Sequence, residues 1–209
     1  MVSNSFKKHN KDSYNKIAYE YLSSHIDKTP DYLIDIISSL PENLRILDIG
    51  SGPGNNIPLL QSRKPKIIVC LDNSPKMLLL AKRNFNTSNI KYVETDFMKY
   101  ETNEKFDFIF SHLSFVHLPP KDLTLMLKKV YNMLYKNSYF FANYFIGGMN
   151  EFKLIPLDHS TDGEETRYFG IYKKKYIEDR YKETGFNIIQ RSIYKGHHFT
   201  RYNIFASPN

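Results

Sequence analysis

Cysteine, long apolar runs, internal repeats and concentrated charge are all scarce in this sequence. Its 209 residues hold one cysteine, Cys70, which excludes an internal disulfide. That residue lies inside the apolar run "KIIVCLD" and reads as a buried structural thiol. No run of eighteen apolar residues occurs, so neither a spanning helix nor a membrane partner is expected. The opening "MVSNSFKKHNKDSYNK" has no apolar h-region, and the expected address is cytoplasmic. The net charge is +7, yet the basic residues are scattered and only Lys173 to Lys175 form a run, the pattern of a solvated helix face. Nucleic acid is therefore the less favoured partner. Histidines and acids fall at no metal-ligand spacing, so no metal is expected. The apolar fraction of 41% and charged fraction of 24% are those of a globular protein, and the length suits one domain.

What is present is an alternation. "LRILDIG" (44–50), "KIIVCLD" (66–72), "IKYVETDF" (90–97), "FDFIFSHL" (106–113) and "SYFFANYF" (138–145) are short and rich in β-branched or aromatic residues, as strands buried on both faces are. Helix signals separate them: Ser74 before Pro75 is an N-cap followed by proline at the first helical position, and Leu123, Leu127, Val130 and Leu134 recur at helical spacing. The expected fold is α/β, a doubly wound, Rossmann-like and mostly parallel sheet of seven strands, the last antiparallel, with helices on both faces. One domain over 1–209 is expected to divide into N-terminal helices covering the crevice (1–42), a core (43–145), a long polar loop on the side of the second substrate (146–170), and a closing helix and strand pair (171–209).

The most informative stretch is "ILDIGSGPGNN", where glycines stand at 50, 52 and 54 behind a strand that ends in a carboxylate. A dinucleotide fingerprint needs glycine at position 55, which is Asn55, so a pyrophosphate-cradling turn is disfavoured. Asp72 closes the next strand, where a carboxylate can accept both hydroxyls of an unphosphorylated ribose.

These residues resemble the class I S-adenosylmethionine-dependent methyltransferases of the compact, small-molecule type. "ILDIGSGPG", "LDNSPKML", "ETDF" and "FDFIFSHLSFVHLPP" follow the order of that family's motifs. The resemblance implies S-adenosylmethionine as cofactor. Gly50, Ser51 and Gly52 would approach its methionine end, with Asp48 beneath them holding the amino group and Gly54 completing the cofactor-binding loop. Asp72 would take the ribose, Asn73 and Met77 would flank the adenine, and Asp96 and Phe97 would bond its edge. Ser111 would offer a carbonyl, and Tyr14 and Tyr21 would lid the site. Simpler roles exist for some: Met77 and the two tyrosines can serve packing, and Asp96 can cap a turn.

For a hydroxyl or protonated amine as acceptor a base is needed, and His117 is the candidate, with His112 next. His159 with Asp158 and Asp162, and His197 with His198, are further candidates to face the acceptor. Ser111-His112-Leu113-Ser114 differs from the Asn/Asp-Pro-Pro-aromatic pattern of base-amine methyltransferases, and Cys70 is misplaced for cytosine chemistry. The expected partner is thus a small-molecule substrate. The alternatives are an RNA or protein methyltransferase, or a binding protein without turnover. Oligomeric state has no signature here.

Overall fold

The computed structural model describes residues 5–25, 29–157, 165–196 and 199–209. Two helices come first, α1 (Ser5–His25) and α2 (Asp31–Ser38). The alternating core follows as β1 (Arg45–Ile49), α3 (Ile57–Gln61), β2 (Ile67–Asp72), α4 (Pro75–Asn84), β3 (Ile90–Glu94), β4 (Phe106–Ser111), α5 (Leu123–Met133) and β5 (Leu134–Ile146). The chain closes with β6 (Glu151–Leu157), β7 (Glu165–Tyr172), α6 (Lys174–Glu183), β8 (Phe186–Lys195) and β9 (Thr200–Pro208).

The first five strands pair in parallel in the order β3-β2-β1-β4-β5, so the strand order reverses between β1 and β4. Next to β5 lies β9, antiparallel, and beyond it β8. The sheet is apolar on both faces because both are covered. Leu47, Ile49, Val69 and Ile109 pack under Leu123, Leu127 and Val130 of α5. Ile46, Ile68, Cys70, Phe108 and Phe110 pack under Leu33, Ile36 and Ile37 of α2. Each fully buried Leu or Ile contributes about 1.5–3 kcal/mol, which makes these two seams the main source of cohesion. Cys70 is fully buried, as its apolar run implies.

Among the described residues the sheet has nine strands, two more than the seven expected. The stretch expected as a loop over 146–170 is an antiparallel hairpin, β6 with β7, whose turn lies outside the described residues. The polar residues in "EFKLIPL" and "ETRYFGIY" belong to a two-sided ribbon, and Pro156 is tolerated because β6 is an edge strand needing no further amide donor. The hairpin's position has a functional consequence. Past Ala142, which pairs with Ser111, β5 has outrun β4, and Phe145 and Ile146 pair in parallel with Ile171 and Tyr172 of β7. The other edge of β5 is already taken there by β9, so the hairpin extends the sheet above the carboxyl end of β4.

Helix α1 is fastened to that hairpin. Asn10 acts as a surrogate strand residue, its Oδ1 accepting the Tyr168 amide at 2.8 Å and its Nδ2 donating to the Tyr168 carbonyl at 3.0 Å. On the opposite side, Asn15 Oδ1 accepts from Ser74 Oγ at 2.7 Å, and Lys7 pairs with Asp96 at 2.6 Å. The helix thus bridges the crevice at the carboxyl ends of the strands, where an open α/β sheet places its ligand. Among the described residues, no helix is long and apolar enough to cross a membrane.

Candidate active site

The chain leaves β1 through three residues in the left-handed region, Gly50 (φ 71°), Gly52 (φ 56°) and Gly54 (φ 90°). A non-glycine residue pays sterically for such a conformation, which explains the composition of the turn. The three glycines nevertheless serve different needs. A Cβ at Gly52 would meet nothing within 4 Å, so the space beside the loop is left open by the protein. A Cβ at Gly54 would lie 2.9 Å from both Ile57 Cδ1 and Phe85 Cδ2, so this glycine lets α3 pack. At Gly50 the obstruction is the Ser114 side chain.

The loop is tied to β2. Gly50 and Ser51 donate their amides to the Leu71 carbonyl, at 2.8 and 2.9 Å. Asp72 Oδ2 accepts the Gly52 amide and Oδ1 the Ser74 amide, both at 2.8 Å. Burial pushes the Asp72 carboxyl up, while the amides of Ser74, Gly52 and Asn73 pull it back.

Beside this loop, under α1, is a cavity of about 350 Å³. Gly50, Gly52, Asp72, Asn73 and Met77 line it from the first half of the sheet. Asp96 and Phe97 line it after β3, and Tyr14, Tyr21 and His117 line the remaining side. Asp96 caps the turn, its side chain accepting the Met98 amide at 3.0 Å, and the residue lines the cavity.

Four expected residues do not line the cavity: Asp48, Ser51, Gly54 and Ser111. Gly54 is withdrawn as a ligand residue for the packing reason given. The others are buried beneath the loop with polar atoms unmet: Asp48 Oδ2, Ser51 Oγ and Ser111 Oγ have no hydrogen-bond partner. Burial, with Asp72 nearby, pushes the Asp48 carboxyl up to about 8. A carboxyl so placed favours a cationic or donating neighbour.

His117 does not sit as a free base. Its Nδ1 is 2.8 Å from the Tyr168 carbonyl, which can only accept, so Nδ1 carries the proton. Nε2 then accepts from the Tyr14 hydroxyl at 2.7 Å. Burial, reinforced by Arg167, lowers the ring to about 4 against the opposing pull of the Tyr168 carbonyl, so it is neutral near pH 7. The expectation of His117 as general base is corrected accordingly: the lone pair a base would use already holds Tyr14. His112 lines the cavity and meets the Tyr32 hydroxyl through Nε2 at 3.2 Å. Asp158, His159, Asp162, His197 and His198 lie outside the described residues.

Several contributors had no sequence signal. Arg167 lies over the Tyr14 ring at 4.3 Å, donates to Ser13 at 2.9 Å and pairs with Glu165 at 3.0 Å. Leu113 has φ 60°, and its amide is held by Asn143 Oδ1 at 2.8 Å. Among the described residues, no three His, Cys, Asp or Glu side chains group to hold a metal ion.

A family described as "Methyltransferase domain" matches residues 46–137. A curated relative, malonyl-[acyl-carrier protein] O-methyltransferase of Acetivibrio thermocellus, is 32% identical over 107 residues, 51% of this chain and 35% of that one. Trans-aconitate 2-methyltransferase of Escherichia coli O139:H28 is 32% identical over 89 residues, 41% of this chain and 34% of the relative. The match thus spans about a third of the length of these curated relatives. Among solved structures, the magnesium protoporphyrin IX methyltransferase of Synechocystis PCC 6803 with bound SAH superposes with a TM-score of 0.72 at 14% identity. That superposition covers 98% of this chain and all of the other, and it concerns the fold. Over residues 46–137 the chain is thus similar to the methyltransferase domain family, and its fold is the one found in solved S-adenosylmethionine-dependent methyltransferases.

Proposed function

We propose that this protein moves a methyl group from S-adenosylmethionine to a small-molecule acceptor by in-line displacement. One observation carries the reading: an open glycine loop at Gly52 is joined through its amide to Asp72, with the unmet carboxyl of Asp48 buried beneath. The residues suit that donor. Asp72 gives one bond from each oxygen to the backbone, and a carboxylate has about four lone-pair sites, so two remain for ribose hydroxyls. Asp48 is suited to the amino group, with Ser51 and the Ser111 carbonyl beside it. Asn73 and Met77 would flank the adenine, and Asp96 and the Phe97 amide would bond its edge.

Bound there, the sulfonium offers an electrophilic methyl carbon to a nucleophile in line with the departing sulfur. The chain's own task is to align the partners and exclude water. Helix α1 does the excluding, held by Asn10 and Asn15 at its two sides. His117 positions Tyr14, which meets Tyr21 edge to face at 5.9 Å. Because the Arg167 guanidinium lies over the Tyr14 ring, Tyr21 is the better aromatic neighbour for a cationic donor. The turn past β4, where His112, Leu113 and Ser114 line the cavity, would form the acceptor side. Of the two curated relatives, one is named for trans-aconitate and the other for a malonyl group on an acyl-carrier protein, which supports a small acceptor group over RNA.

The test is transfer of label from methyl-labelled S-adenosylmethionine to a panel of small metabolites by the full chain. Turnover with at least one supports the proposal. Donor binding without transfer to any panel member, or transfer to RNA or protein alone, contradicts it.

A further inference from the structure

The turn that leaves β4 is held in an unfavourable shape, and the residue that holds it lies outside the cavity. Among the described residues four non-glycine positions have positive φ: Asn43, Lys64, Leu113 and Asn137. Asn43, Lys64 and Asn137 are exposed, whereas Leu113 is half-buried and lines the cavity with its neighbours His112 and Ser114. A leucine at φ 60° is sterically costly, and such backbone persists only where the surrounding structure enforces it.

The enforcement comes from β5. The parallel ladder between β4 and β5 ends where Ser111 pairs with Ala142. The next residue of β5, Asn143, is fully buried, and its Oδ1 accepts the Leu113 amide at 2.8 Å. A side chain thus takes over from the ladder where the chain turns away from the sheet. Burying a side-chain amide is costly unless it is bonded, and this bond offsets the cost. On the other flank His112 meets the Tyr32 hydroxyl of α2 through Nε2 at 3.2 Å, so the turn is braced twice. What it presents is Ser114. The Ser114 side chain stands where a Cβ on Gly50 would lie, against the loop assigned to the methionine end of the donor. Its hydroxyl does not cap the short helix that follows and has no hydrogen-bond partner among the described residues, so on the cavity wall it is available to a ligand.

We infer that the Ser114 hydroxyl is a contact for the methyl-bearing end of the donor, and that Asn143 is its positioning residue, acting through the left-handed turn at Leu113. This rests on the methyltransferase reading above. The reacting methyl must leave sulfur in line with its nucleophile, and a small displacement of the wall beside it spoils that alignment. The Ser114 oxygen meets the positive charge beside sulfur. Asn143 does not line the cavity, and it works by fixing where that oxygen sits.

The test uses the full chain and two nucleosides that differ at one place. S-adenosylhomocysteine has a bare sulfur, whereas sinefungin has an ammonium-bearing carbon where the methylated sulfur stands. Both are titrated by calorimetry into the unaltered chain first; silence with both would sink the methyltransferase reading itself. Ser114→Ala, which removes one oxygen at a cavity wall, should weaken sinefungin about 10-fold more than S-adenosylhomocysteine, as expected for one lost bond to a charged group. Asn143→Leu, similar in size but without the acceptor, should shift that ratio by a like factor while S-adenosylhomocysteine affinity stays within about threefold. Asn143→Asp keeps an acceptor for the Leu113 amide and should preserve the ratio. Glycine adopts φ 60° without a clamp, so Leu113→Gly added to Asn143→Leu should restore part of it. Thermal melts identify the folded variants. The inference is overturned if folded Asn143→Leu weakens both nucleosides alike or neither of them. It is equally overturned if Ser114→Ala leaves their ratio unchanged, a result that decides even where Asn143→Leu does not fold.

Discussion

Asp72→Ala perturbs the site at the atom that joins loop, strand and ligand. In the free protein the change removes the acceptors of the Gly52 and Ser74 amides, both at 2.8 Å. A lost hydrogen bond to a charged group costs about 1.5–3 kcal/mol. Ser74 is fully buried and the Gly52 amide is fixed in the loop, so neither recovers its bond from water, whereas the carboxyl's own desolvation is relieved by the substitution. A stability loss of about 2–3 kcal/mol is therefore expected, a fall in Tm of roughly 4–12 °C for a chain of this size. Binding loses the ribose contacts as well, again about 1.5–3 kcal/mol, which weakens S-adenosylhomocysteine by about 10- to 150-fold. Asp72→Asn retains one carbonyl acceptor and should fall between. Differential scanning and titration calorimetry on the same preparations separate the two losses. Unchanged affinity in a folded Asp72→Ala protein would refute the assignment of the ribose to this carboxylate.

Other outcomes follow from the same geometry. Gly54→Ala should lower Tm by several degrees, because its Cβ would lie 2.9 Å from Ile57 and Phe85, yet leave donor affinity nearly intact in calorimetry. Gly52→Ala should fold, at a cost of about 1–2 kcal/mol for its positive φ, and lose donor affinity. Asn10→Ala should free α1 from β7 and make that helix the first site cut in limited proteolysis, with the donor product restoring protection. The pH dependence has two opposed parts. His117, lowered to about 4, contributes stability that is complete above its unfolded value of 6.5 and is lost as pH falls toward 4. Asp48, raised to about 8, contributes stability that is complete below its unfolded value of 3.8 and is lost as pH rises through 8. Between about pH 4 and 6.5 the two slopes nearly cancel, and from there to pH 8 stability should decline with pH by up to about 1.4 kcal/mol per unit. Asp48→Asn should abolish that decline in chemical denaturation measured across the range.

The parts of this molecule visible in its sequence are those set by local pattern. The double-sided burial of β1, β2 and β4 writes itself as unbroken apolar runs, and the Ser74-Pro75 start of α4 is seen as an N-cap, with Ser74 accepting the Met77 amide at 3.2 Å. Asp72 and Gly52 were legible because their spacing is fixed by the strand-turn-helix unit. What stayed hidden depends on distant partners. The role of Gly54 is set by Phe85, a side chain on the far end of α4, so a motif that treats three glycines alike misassigns it. The hairpin was obscured by Lys153, Pro156 and Arg167, polar or strand-breaking residues that only an edge ribbon tolerates. His117 resembles a base in one dimension; its engagement comes from Tyr14 and from Tyr168, residues that lie far from it along the chain.

The central claim is that the glycine loop and the acid of the second strand hold an adenosyl sulfonium. Titration of the purified chain with S-adenosylhomocysteine, run beside an identical titration with NAD, tests it most directly. The account requires saturable heat with the first ligand, with affinity that strengthens as pH rises toward 8 because the Asp48 carboxyl must give up its proton to bond an ammonium. Heat with NAD alone, or silence with the thioether and with S-adenosylmethionine itself, would contradict it.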